Sequence, residues 1–115
     1  MSLSNTQRTL RALEQQGYLS GIVEKFNQYA KVRVDLFNFI DIISIKPKGI
    51  CAIQSCGSDF REHDRKILKN EYALEWLKAG GTIELYGWRK VKKRRGLKQM
   101  VWRPRVKVYT LKDFK

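Results

Sequence analysis

Polar and apolar positions along the chain change rhythm several times, and the changes mark the elements. Near the amino end, Ser4 with Gln7 three residues later forms a capping box, Leu10 and Leu13 share a helical face, and Gly17 can close the turn, so a first helix is predicted there. From Ile22 to Val34 the β-branched and aromatic residues Ile22, Val23, Phe26, Tyr29, Val32 and Val34 predict extended structure, with Asn27-Gln28 as a break. Two apolar runs, Phe39 to Ile45 and Ile50 to Ser55, flank Lys46-Pro47-Lys48-Gly49, which predicts two strands joined by a tight reversal.

A second helical stretch starts near Asp59, an N-cap with Glu62 at the third position. Ile67, Leu68, Leu74 and Leu77 form its stripe, Asn70 can divide it, and Gly80-Gly81 end it. Thr82 to Trp88 reads as a strand, Lys90 to Lys98 as a loop or hairpin tip, and Met100 to Leu111, disturbed by Pro104, as an edge strand. Helix, strands, helix, strands predicts an α/β fold: one domain over residues 1–115, a mixed sheet with helices packed on it.

Charge adds a partner to that picture. Lys and Arg number 24 against 11 Asp and Glu, a formal net charge of +13. Ten of the basic residues lie between Arg89 and Lys107 with no acid among them, densest in a basic loop at 89–99. A concentrated positive field attracts a polyanion, and the segment lacks the bulky apolar helical face that a membrane-binding stretch carries. Nucleic acid is the expected partner and a membrane is not. Arg61, Arg65, Arg89, Lys90, Lys92, Lys93, Arg94, Arg95 and Lys98 are the candidate phosphate contacts. Trp88, Trp102 and Tyr86 flank the basic loop and suit stacking on unpaired bases, although strand tryptophans more often pack a core.

Cys51 and Cys56, five apart on one strand, should point to opposite faces and not bridge, and with His63 as the single histidine a zinc site lacks ligands. No secretory signal or apolar membrane span is readable, so an intracellular, cytoplasmic protein is expected.

Candidate chemistry lies in the central hairpin. A reversal centred between Pro47 and Lys48 places Ile45 opposite Ile50, Ile43 opposite Ala52 and Asp41 opposite Gln54, with Gln54 and Cys56 on one strand face. A carboxylate among Ile40, Ile42 and Ile43 needs a cation, a hydrogen-bond donor or water. Its simpler reading is an aspartate that hydrogen-bonds backbone at a strand end.

The segment Phe39-Ile40-Asp41-Ile42-Ile43-Ser44-Ile45, followed after a short turn by Gly49-Ile50-Cys51-Ala52-Ile53-Gln54-Ser55-Cys56, resembles the core of the PD-(D/E)XK nuclease superfamily, which includes restriction endonucleases and Holliday-junction resolvases. Asp41 matches the family's Asp, Gln54 stands at its acid position, and Cys56 stands where the family has Lys. Val34-Asp35-Leu36-Phe37, Arg61, Lys66-Ile67 and Gly87-Trp88-Arg89-Lys90 resemble small phage-type members.

The resemblance implies a restriction-endonuclease-like mixed sheet of order α-β-β-β-α-β-β, a phage or prokaryotic origin, and Mg²⁺- or Mn²⁺-dependent hydrolysis of DNA, favoured over RNA, on branched or structured substrates. Asp41 would be the principal metal ligand, with the Gln54 amide oxygen and the Ser55 backbone carbonyl beside it. Glu24 would be the second acid ahead of Glu14, and Asp35 would either join the site or anchor the turn. Lys66 or Arg65 from the second helix would replace the missing Lys, so Asp41, Gln54 and Lys66 form the expected catalytic set. A homodimer follows by analogy, since two cuts in a duplex call for two sites. The competing readings are a non-catalytic nucleic-acid-binding module, either on a degenerate nuclease fold, which the Gln54-Ser55-Cys56 triplet favours, or as an unrelated basic α/β protein that holds RNA, and a structural assembly factor whose basic loop only neutralises nucleic acid.

Overall fold

A computed structural model describes residues 3–114. Helix α1 (Asn5–Gln15) begins at the expected box: the Ser4 side chain accepts from the Gln7 amide and the Gln7 side chain accepts from the Ser4 amide. Strands β1 (Leu19–Ile22), β2 (Lys25–Asn27), β3 (Val32–Val34), β4 (Ile42–Lys46) and β5 (Gly49–Cys56) follow. Helices α2 (Phe60–Leu68) and α3 (Glu71–Lys78) then lead to β6 (Thr82–Lys92), β7 (Met100–Tyr109) and a 3₁₀ turn, Leu111–Phe114.

The observed order is thus α-β-β-β-β-β-α-α-β-β, not the expected α-β-β-β-α-β-β. Both differences arise at short polar breaks. The extended stretch after α1 divides into a sheet-edge strand and a separate two-stranded hairpin, β2–β3, turned where the Asn27 side chain accepts from the Tyr29 and Ala30 amides. The second helix divides at Asn70, whose side chain caps α3 through the Tyr72 and Ala73 amides.

The main sheet runs β1-β4-β5-β6-β7 and is mixed: β5 and β6 are parallel and every other neighbouring pair is antiparallel. Helices α2 and α3 supply the connection that the parallel pair requires. On one face, Leu13 of α1 packs with Ile42, Cys51, Ile53, Tyr86 and Trp88. On the other, Phe60, Ile67 and Ala73 of α2 and α3 pack with Ala52, Cys56, Ile83, Leu85 and Tyr109. The two cysteines are free, buried and on opposite faces, as the strand period predicts. Strand β7 pairs only with β6 and carries Pro104 opposite Trp88, as an edge strand can. Among the described residues no helix is long and apolar enough to cross a membrane.

Glycine at 87 is a packing requirement. A Cβ built there would lie 2.4 Å from the Phe60 ring, so β6 touches α2 through bare backbone. Gly87→Ala is expected to destabilise the fold by about 1–3 kcal/mol through overpacking, read as a lowered Tm. An unchanged melt would show that the Phe60 ring can move aside freely.

Candidate metal centre

The central hairpin pairs in the expected register from Lys46↔Gly49 to Ile42↔Ile53, but the ladder ends there. The expected strand from Phe39 starts only at Ile42, because Leu36 and Ile40 exchange backbone hydrogen bonds of 3.0 and 2.9 Å and fold residues 36–40 into a tight loop. Phe37 and Asn38 take positive φ values of 54° and 67° in that loop, and the Asn70 side chain donates to the Phe37 carbonyl at 3.0 Å, pinning it to the N-terminus of α3. Asp41 therefore does not sit squarely opposite Gln54. Its amide donates to the Ile53 carbonyl at 2.9 Å, and its side chain turns across the end of the ladder.

What the Asp41 carboxylate does there follows from strand lengths. Strand β5 runs past the start of β4, so the Ser55 amide has no ladder partner on that side, and Asp41 Oδ2 accepts from it at 2.8 Å. The backbone-capping role considered for Asp41 is real. It accounts for one lone-pair direction of a buried group that has several.

The loop also brings other acids in. Asp35 lies at the end of β3, and Glu24 lies one residue before β2, held near by the Val23 amide donating to the Asp41 carbonyl at 2.8 Å. Carboxylate oxygens of Glu24, Asp35 and Asp41 all lie within 4.8 Å of one another. Gln54 Nε2 donates to Asp35 Oδ2 at 3.0 Å, and Lys66 Nζ, reaching over from α2, is 3.7 Å from the same oxygen. Arg33 pairs with Glu24 at 3.5 Å from a largely exposed position. Asp35, which the sequence left between a site role and a turn role, is the hub: Asp41 and Gln54 meet through it.

The electrostatics fit a cation. Burial pushes the Asp41 carboxyl up to about 8, a hydrogen bond with Asp35 pushes the same way, and the Ser55 amide opposes them. Glu24 is also raised, by burial first, with Arg33 opposing and Asp35 adding. Three hard oxygen donors crowded against one lysine and one exposed arginine suit a divalent ion of the oxygen-preferring kind. The Gln54 Oε1, buried without a hydrogen-bond partner, is a fourth oxygen at the same place, and rotation of the amide exchanges it with Nε2. These residues can hold a metal ion.

A pH dependence follows. A carboxyl raised in the folded state favours the protonated form, so its contribution to stability falls as pH rises above the ordinary carboxylate range and is fully lost above about 8. Added Mn²⁺ or Mg²⁺ should therefore raise Tm, by about 2.7 kcal/mol of stability at a hundred times its Kd, and more readily at pH 8 than at pH 5. Asp41→Asn retains an acceptor for the Ser55 amide, should raise the metal-free Tm at pH 8, and should abolish the metal response. A metal response equal in wild type and variant would place the ion elsewhere.

Cys56 does not take the lysine's part. It is buried beneath α2, and desolvation pushes its thiol up to about 12, so it stays neutral. Ser55 is fastened by its hydroxyl, which donates to Thr9 Oγ1 at 2.8 Å, and Trp88 Nε1 donates to the same oxygen. Thr9 thus anchors the site's strand to α1, a role that no pattern along the chain marks.

The basic segment is a true hairpin tip, but shorter than expected. Strand β6 continues to Lys92, paired with Met100, so the loop is residues 93–99, closed by the Lys93 amide donating to the Gln99 carbonyl. Arg89, Lys90, Lys92, Lys93, Arg94, Arg95 and Lys98 are all exposed, as are Arg61 and Arg65 on α2. Because β6 runs parallel to β5 and beyond it, this tip projects from the sheet end that carries Asp41 and Ser55. Arg105, opposite Gly87 with its guanidinium 4.2 Å from the Phe60 ring, adds a cation on the face that carries Gln54. The stacking role suggested for Tyr86 and Trp88 is overturned by their burial against α1. Trp102 remains half exposed, with the Arg8 guanidinium 3.7 Å from its ring centre.

Comparisons with protein-family models, with curated proteins and with solved structures return no match.

Proposed function

We propose that this chain is a metal-dependent nuclease of restriction-endonuclease-like fold that hydrolyses DNA phosphodiester bonds, with branched or structured DNA as its preferred substrate. One observation carries the reading: Glu24, Asp35 and Asp41 converge within 4.8 Å at the sheet end from which the basic hairpin projects. Carboxylates repel a phosphate backbone, so an acidic cluster beside exposed cations makes sense with a cation between acid and phosphate.

Asp41, Asp35 and Glu24 would hold Mg²⁺ or Mn²⁺, with the Gln54 amide oxygen and Ser55 carbonyl as further donors. Such an ion, when bound, neutralises charge developing on the phosphate and lowers the pKa of the attacking water. Gln54 orients Asp35. Lys66, held over Asp35, supplies the fixed positive charge that Cys56 cannot, placed to orient water or a phosphate oxygen. The exposed residues of the basic hairpin and of α2 bind phosphates without reading bases, so little sequence preference is expected.

The second reading, a binding module without catalysis, draws on the uncharged Gln54 and the neutral Cys56. Cleavage assays with Mg²⁺ and with Mn²⁺ on branched, duplex and single-stranded DNA separate the two. A protein that binds all three and cuts none is the module.

A further inference from the structure

Among the described residues the β2–β3 hairpin adds no side chain to either hydrophobic cluster. It forms its own two-stranded sheet, and all six of its strand residues are exposed. An isolated two-stranded hairpin is marginal in water, and exposed apolar groups gathered on one mark a contact surface. Phe26 is 56% exposed, and Tyr29 at the turn is fully exposed. Lys25, Lys31 and Arg33 are the charged residues of the segment 25–34, which holds no acid.

Its position is the informative part. Glu24 immediately precedes β2 and Asp35 immediately follows β3, so the hairpin stands on two of the three clustered carboxylates. Two grooves meet at Asp35. One, of about 510 Å³, is lined by Phe26, Val34 and Phe37, and the other, of about 330 Å³, by Arg33, Asn38 and Lys66. Phe26 and Arg33 are directly opposed across the hairpin, and the Arg33 guanidinium reaches back to within 3.5 Å of the Glu24 carboxylate. Tyr29 is five residues from Glu24, so the tip reaches at most roughly 17 Å from the cluster, a few nucleotides along a strand.

We infer that this hairpin is a stacking arm for unpaired nucleobases, with Phe26 and Tyr29 as its platforms and Lys25, Lys31 and Arg33 tracking the adjoining phosphates. This rests on the nucleic-acid reading above and adds to it the substrate feature recognised: single-stranded bases next to the bond presented at Asp41. Aromatic faces interleaved with cations are the combination that holds single strands without regard to sequence. A second copy of the chain is the other occupant that an apolar arm invites, but a net charge of +13 and three cations on the arm oppose it.

The test is fluorescence anisotropy in EDTA, with a labelled oligothymidylate and a blunt duplex of equal length. Phe26→Ala and Tyr29→Ala should each weaken single-strand binding about tenfold and leave duplex binding unchanged. Phe26→Leu and Tyr29→Leu keep apolar bulk without a π-face and should behave like the alanine variants. Quenching of 2-aminopurine in the strand should weaken in all four. Equal losses on duplex, leucine variants that bind like wild type, or variants that instead change the sedimenting mass would each overturn the assignment. Cleavage is read separately in Mg²⁺. Cutting with indifferent rings sinks only the arm, while ring-dependent binding without cutting sinks only the nuclease.

Discussion

Asp41→Asn should reduce Mg²⁺- or Mn²⁺-dependent cleavage by more than about a thousandfold, because losing the ion forfeits several kcal/mol of charge stabilisation together with the activated water. The asparagine can still accept from the Ser55 amide, so the strand end stays closed and the loss reports on charge. Asp41→Ala removes both functions and should also lower Tm. Nucleic-acid affinity should survive in each, since the proposed phosphate contacts are assigned to the exposed cations and not to Asp41. Gln54→Glu should tighten metal binding by adding a charged donor. Cys56→Lys should damage the fold instead of aiding catalysis, because position 56 is buried under α2 and an ammonium there has no partner. Asp41→Asn cutting as fast as wild type, in a protein that melts normally, would move the active site off this cluster.

Replacing Lys92, Lys93, Arg94 and Arg95 together by glutamine should lower the log–log salt slope on duplex DNA by about 3 to 4, near 0.9 for each lost phosphate contact, with a large loss of affinity at low salt. All four are exposed and belong to neither hydrophobic cluster, so the fold should be indifferent. Cleavage by this variant should fall through weaker binding, with kcat at saturating DNA retained, because the acidic cluster and Lys66 are untouched. An unchanged slope in the salt titration would put the phosphate-binding surface elsewhere, with the exposed cations of α2 and Arg105 the next to replace. The two variants fail differently, one in the chemical step and one in binding, and that contrast separates enzyme from module more sharply than either alone.

Local chemistry along the chain was enough for much of this structure. The capping box at Ser4 and Gln7, the reversal at Pro47 and Lys48, the break at Asn70 and the opposed faces of Cys51 and Cys56 depend on contacts between residues near in sequence or on strand period. Those rules act wherever the segment ends up. The net charge and the clustering of cations between Arg89 and Lys107 were likewise independent of folding, and so was the choice of Asp41 as a carboxylate in an apolar run that needs a reason to be there.

The tertiary structure alone decided what surrounds that carboxylate. Asp35 becomes the hub because a loop with Phe37 and Asn38 at positive φ doubles the chain back, a conformation that Phe37 does not advertise. Glu24 arrives through a backbone bond from Val23 to Asp41, and Lys66 through the packing of α2 on the sheet. Strand β4 stops at Ile42, one residue short of the regular pairing that would have set Asp41 opposite Gln54, because residues 36–40 are held by their own hydrogen bonds. The burial of Trp88 and Tyr86 was settled by α1 covering that face of β6, and the exposure of Phe26 and Tyr29 by a hairpin that no other described element covers. Periodicity reports which side of an element a residue occupies; which side is covered depends on partners distant in sequence.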